Sequence, residues 1–312
     1  QILISEQLTA QGFNEVLNNS LTKGSYYNGL TAYPETESVK LLNPLSSDLN
    51  VMRQTLLFGG LENIARNINY RNSDLKLYEF GNCYHYHNEN KNPENPLDAY
   101  TEEYHLGMWI TGNKFSDSWT SGTEKSSFYE LKAYVQNILT RFGLNLRTLK
   151  TEEFADDLFA EALRISSAKG TLLVTYGIVN PEMRKRTDVN AEVYYADLVW
   201  NNILSELKDS AVKYSELPKY PEVRRDLAFL LDKNTTFAEI EKIAYESERK
   251  FLKKVSLFDV YEGKNLEAGK KSYAVCFILQ DESKTMTDNV IDGIMRKIQQ
   301  NIETKLNAKL RS

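Results

Sequence analysis

The chain is 312 residues long, with 41% hydrophobic and 26% charged residues and a formal net charge of −5. This is the composition of an ordinary globular protein, long enough for two domains and too acidic for a nonspecific binder of polyanions. No apolar run approaches the roughly 20 residues that cross a bilayer. The N-terminus begins with Gln1 and lacks the basic and apolar regions of a signal peptide, so a fragment or processed chain residing in the cytoplasm is expected.

The predicted elements begin with a helix that carries Ile2, Leu3, Leu8 and Phe13. A strand-like Val39-Lys40-Leu41-Leu42 leads into Asn43-Pro44. Thr55 to Asn69 sets Leu57, Leu61, Ile64 and Ile68 at the spacing of an amphipathic helix. That stripe reads as core, with part of it open to a subunit interface. Arg53, just before it, reads either as a phosphate or partner contact or as a structural residue bonded to a carboxylate or loop carbonyl. Strands are expected around Leu75–His87, His105–Thr111, Leu172–Val179 and Val193–Val199. A helix near Phe128–Phe142 places Leu131, Val135, Ile138 and Phe142 on one side. The stretch 88–99, rich in Asn, Glu and Pro, reads as an exposed loop. The mix points to an α+β domain on an antiparallel sheet. Ser215 to Pro221, with two prolines, reads as the interdomain boundary, giving domains 1–217 and 218–312.

From Pro218 onward, 18 Lys and Arg stand against 15 Asp and Glu, while the rest holds 20 against 28, so the basic part is the last domain. Its first strand, Arg224–Asp232, alternates Leu227, Phe229 and Leu231 toward a core. Thr236 and Glu239 have the spacing of a capping box before a helix that buries Phe237, Ile240, Ile243 and Ala244. Strand two, Val255–Glu262, is expected to turn Phe258 and Val260 inward; strand three, Ser272–Gln280, turns in Tyr273, Val275, Phe277 and Leu279. A second helix carries Val290, Ile291, Ile294, Ile298 and Ile302, and a short strand follows at Ala308–Arg311. This order is the ferredoxin-like βαββαβ.

Alternation then assigns Ala228, Asp259, Tyr261, Ser272 and Ala274 to the open sheet face, on adjacent strands if the order is 4-1-3-2. Tyr261 offers a stacking surface for a base, Asp259 an acceptor for base N–H groups, and Ser272 a donor or acceptor. Arg224, Lys270 and Lys271 are placed to hold phosphates. A half-exposed tyrosine on such a sheet is equally ordinary surface, and spacing alone leaves both readings open. Cys83, His85 and His87 would share one face of a strand, but zinc asks for a fourth ligand and the one other histidine is His105, so a polar strand end and no metal site is expected. Cys83 and Cys276 read as small apolar fillers, with no disulfide between them.

Four runs in the last domain carry a resemblance: Pro221-Glu222-Val223-Arg224-Arg225-Asp226-Leu227-Ala228, Ser256-Leu257-Phe258-Asp259-Val260-Tyr261-Glu262-Gly263, Gly269-Lys270-Lys271-Ser272 and Lys284-Thr285-Met286-Thr287-Asp288. In this order and at these intervals they resemble the C-terminal anticodon-binding domain of the β subunit of bacterial phenylalanyl-tRNA synthetase. The resemblance implies that Asp259, Tyr261 and Ser272 recognise the first anticodon base. Earlier runs, Gln11-Gly12-Phe13-Asn14-Glu15-Val16, Leu42-Asn43-Pro44-Leu45-Ser46-Ser47-Asp48-Leu49, Val51-Met52-Arg53 and Leu77-Tyr78-Glu79-Phe80-Gly81, resemble the same subunit's catalytic-like module on a class II synthetase sheet. A working class II site needs an arginine on the strand of Glu79 for the ATP α-phosphate and a glycine-rich strand ending in arginine, and the sequence has neither. The resemblance therefore implies a module without catalytic residues, and an isolated chain that is inactive. It implies ATP and Mg²⁺ for the holoenzyme but no cofactor here, and as partners an α subunit, in a heterotetramer, and tRNA-Phe. The alternative is a stand-alone, non-catalytic RNA-binding or scaffold paralogue.

Overall fold

Helix α1 (Ile2–Ala10) opens the computed structural model, which describes residues 1–120, 122–207, 214, 216–263 and 266–311. Ile4 and Leu8 are its buried residues, whereas Ile2 and Leu3, expected on the apolar side, face outward. One short helix presents one inward stripe, and Ile4 occupies the place beside Leu8. Phe13 is buried just beyond the helix end. Short strands follow at β1 (Asn14–Glu15), β2 (Leu21–Thr22) and β3 (Val51–Met52). The expected strand at Val39–Leu42 makes only a single bridge, between Lys40 and Val51. Next come α2 (Leu57–Asn69), β4 (Leu75–Tyr86), β5 (Tyr100–Thr111) and α3 (Phe128–Arg141). The unit continues through β6 (Lys150–Phe154), β7 (Phe159–Ser166), β8 (Leu172–Val179), α4 (Pro181–Lys185), β9 (Val193–Val199) and α5 (Trp200–Glu206).

The main sheet has the order β1-β4-β5-β9-β8-β7-β6. The sheet is antiparallel as expected, except that the two-residue edge strand β1 pairs with β4 in parallel. Three of its strands gave no strand signal, the shortest being the two-residue β1. β6 is largely charged and exposed, and β7 carries a register irregularity between Phe159 and Glu161 that breaks the two-residue period. One sheet face packs Tyr78, Leu106, Met108, Ile110 and Leu198 with Leu131, Val135 and Ile138 of α3. The other packs Leu77, Trp109 and Tyr195 with Leu57, Leu61 and Ile64 of α2. Helix α2 lies tight on this face because Gly60 has no side chain; a Cβ there would run into the Trp109 indole.

The chain divides into two units, Gln1–Val212 and Lys213–Ser312. The loop expected to separate them, at 215–221, falls partly outside the described residues. The second unit contains β10 (Val223–Asp232), α6 (Phe237–Ser247), β11 (Leu252–Tyr261), β12 (Lys270–Leu279), α7 (Asp288–Leu306) and β13 (Lys309–Leu310). Its sheet runs β11-β12-β10-β13, all antiparallel, which is the expected 4-1-3-2 order read from the other edge. The Thr236–Glu239 capping box starts α6 as predicted. Both helices cover one face, where Ile240, Ile243, Ile291, Ile294, Ile298 and Ile302 meet Phe229, Leu231, Val275 and Phe277. Val290, expected in the same stripe, sits outside it and is exposed. No helix among the described residues is long and apolar enough to cross a membrane.

Candidate nucleic-acid interface

The uncovered face of the second sheet is organised in rows. Leu230 stands opposite Ser272, and Ser272 opposite Tyr261; the next row is Ala228, Ala274 and Asp259. Asp259 and Tyr261 therefore share a face with Ala228 and Ala274, as alternation predicts. The strand reaches that face by an irregular route. Between Leu257 and Asp259 the β11–β12 register shifts, so Leu257 packs toward the core and Phe258 becomes the extra residue. Phe258 is 53% exposed, and the Arg224 guanidinium carbon lies 5.4 Å from its ring centroid. The inward placement expected for Phe258 is thus wrong, because a bulge re-aims the side chain it inserts. Val260 is also half exposed, although it pairs with Tyr273, because β11 is the edge strand and nothing flanks it.

Arginine meets an aromatic ring at two places on this face. Arg224 sits over Phe258, and Arg311, whose N–H donates to Ala228 O at 2.7 Å, lies with its guanidinium 5.1 Å from the Tyr261 centroid. The half-buried alanines 228 and 274 form the floor between them. Ser272 is only 4% exposed, so the open position expected for its hydroxyl is corrected: it sits on the inner strand β12 between Leu230 and Tyr261 and is buried there. Gly263 leaves room for the Tyr261 hydroxyl, since a Cβ there would collide with it.

The basic residues divide. Arg224 donates to Asp226 through Nε and Nη2, both at 3.0 Å, and these bonds hold the Asp226 carboxyl below the usual range. Lys270 is on the open-face side of β12, with its Nζ 2.8 Å from Asp232 Oδ1. Lys271 is not part of the site. It pairs with the core residue Leu231, is 7% exposed, and lays its Nζ 4.5 Å from the Tyr273 ring centroid on the helix side. The strand-edge phosphate contact expected of it fails because its parity is that of the core. Phe258 and Arg311 are the residues sequence reasoning missed: a bulge leaves no period-2 signal, and a near-terminal arginine leaves no motif.

In the first unit, Arg53 takes the structural role. Its Nη1 donates to the fully buried Glu79 at 2.7 Å and its Nε to Asn82 O at 2.9 Å, while Asn18 donates to both Glu79 oxygens. Cys83 is buried, which pushes its thiol well up. Among the described residues no group of three or more His, Cys, Asp or Glu is placed to hold a metal.

Residues 2–200 match the family model described as phenylalanyl tRNA synthetase beta chain CLM domain. The chain belongs to the phenylalanyl-tRNA synthetase β-chain family. Residues 218–311 match the ferredoxin-fold anticodon binding domain, so the rows just described lie on an anticodon-binding fold. Phenylalanine–tRNA ligase β subunits of Bacteroides fragilis and Bacteroides thetaiotaomicron are 58% and 57% identical over the whole chain, and that of Porphyromonas gingivalis is 49% identical. The chain spans 38% of the length of these β subunits.

Proposed function

We propose that this chain is the portion of a phenylalanine–tRNA ligase β subunit that supports subunit assembly through residues 1–217 and reads the tRNA anticodon through residues 218–312. The observation that carries the reading is the open sheet face, where Asp259 presents a carboxylate beside Tyr261 and above the alanine floor. A base stacked on Tyr261 places its N–H edge toward Asp259, and sliding onto that ring displaces or extends the Arg311 stack. Arg224, Lys270 and Arg311 offer positive charge to the flanking phosphates. The relatives, which match the whole chain at 49% to 58% identity and are named β subunits, favour this reading over a stand-alone paralogue.

Aminoacylation with ATP and Mg²⁺ is then the work of the assembled enzyme with its α partner in the cytoplasm, and this portion is non-catalytic. What supports this reading is that the strand of Glu79 carries no arginine for an ATP phosphate, and that Arg53 is already spent on Glu79 and Asn82 O. The deciding experiment charges native tRNA-Phe, and a transcript altered at the first anticodon base, using the α subunit with full-length β carrying Tyr261→Ala. Loss of charging confined to the native anticodon is the expected result. Equal charging of both transcripts, unchanged by the substitution, makes the face ordinary surface.

A further inference from the structure

The α3 side of the main sheet is only partly roofed. Helix α3 packs on β8 and β9, and beside its first turn the strip formed by β6, β7 and the end of β8 stays open. A cavity of about 690 Å³ lies there. Leu163 and Ile178, both half-buried, form its floor, and Phe128 and Tyr129 of α3 stand beside them, with Tyr129 77% exposed. Nothing in the anticodon reading uses it.

Two carboxylates reach the same opening. Glu153 pairs with Leu163, which packs on the α3 side, so it shares that face. Glu161 arrives through the irregularity in β7. Phe159 lies in the α2-side core, and strict alternation would return Glu161 to that side. The extra residue, Ala160, turns Glu161 over to pair with Ile178 on the α3 side. Both glutamates are exposed, and neither makes an ion pair or hydrogen bond among the described residues. No Lys, Arg or His among the described residues lines the cavity with them.

That charge decides what fits. The volume lies within the roughly 300–1,000 Å³ of small-molecule pockets, and an aliphatic floor beside two aromatic rings suits an apolar body. An anion entering here meets two like charges with no cation to offset them, whereas a cation meets two acceptors. The Phe128 and Tyr129 rings add their own attraction for a cation over their faces. Because both carboxylates are exposed, an ammonium group keeps part of its water while the body it carries is buried. We infer that this cavity binds a small organic amine, its apolar body on Leu163 and Ile178 and its ammonium group at the Glu153 and Glu161 carboxylates.

Titration calorimetry of the 312-residue chain with phenylbutylamine, tryptamine and adamantylmethylamine tests the site, each beside the alcohol and the carboxylic acid of the same skeleton. Saturable binding of at least one amine is expected, several-fold tighter than its alcohol, with no binding of the acid. The double variant Glu153→Gln, Glu161→Gln should weaken that amine about threefold to tenfold, as loss of two exposed charge contacts does, and leave its alcohol unchanged. A chain that binds none of the three amines overturns the inference, as does an alcohol or acid that binds as tightly as its amine. So does a folded double variant with the parent's amine affinity, which would put the amine elsewhere on the chain. If the double variant melts early, Tyr129→Ala decides in its place: amine binding equal with and without that ring overturns the site.

Discussion

His105 holds its proton because of where the fold puts it. Burial works against the charge, but the Asp197 and Glu103 carboxylates outweigh it and lift the pKa to about 10, from an unfolded value of about 6.5. A folded pKa above the unfolded one means the native chain binds this proton more tightly. The stabilisation is complete below about pH 6.5, declines as pH rises and is gone above about pH 10. At about 1.4 kcal/mol per pKa unit the contribution is on the order of a few kcal/mol. All three tryptophans, Trp109, Trp119 and Trp200, lie in the first unit, so their fluorescence follows its unfolding alone. Urea midpoints of the parent and of His105→Gln should differ most near pH 6 and converge toward pH 10. A difference that stays constant across that range rejects the buried ion pair. The sequence marks His105 only as a spare histidine, because its partner Asp197 is 92 residues away and comes beside it only when β5 and β9 pair.

The bulge in β11 decides what the second sheet shows to solvent. If Phe258 were core, Phe258→Ala would destabilise the unit by about 3–5 kcal/mol. On the open face it should leave stability nearly unchanged and weaken binding of a tRNA-Phe anticodon stem-loop by about 1–3 kcal/mol, as loss of a base-stacking ring does. Anisotropy titration and chemical unfolding of the same variant separate the two outcomes, and a large stability loss with unaltered binding returns Phe258 to the core. The alternation that misplaced Phe258 also set Val260 inward, though its edge strand leaves it half exposed, and is sound elsewhere. It placed Phe229, Leu231, Val275, Phe277 and Leu279 inside and Asp259 and Tyr261 outside, because β10 and β12 pair without interruption. Helices were readable wherever a stripe was long, as in α2 and α3. What the sequence hid was structure made by pairing: the charged edge strand β6, the bulges, and the burial of Ser272.

On the proposed reading, charge over the whole chain limits how it would hold RNA. The net charge is −5, and the cations on the open face are few. Arg224 and Lys270 already face Asp226 and Asp232, so a phosphate must compete with a neighbour for each of them. Arg311 adds a third cation beside Tyr261. Each phosphate neutralised on a single strand contributes a slope of about −0.7 to log K against log salt, so this face predicts a total slope of only about −1 to −2. Affinity must then come mainly from stacking and from Asp259, which are specific and only weakly salt-sensitive. Anisotropy of the labelled anticodon stem-loop across a salt series measures the slope directly. A value steeper than about −4 would require about six or more phosphates in contact, more than these cations can hold, and would assign RNA binding to surface beyond this sheet.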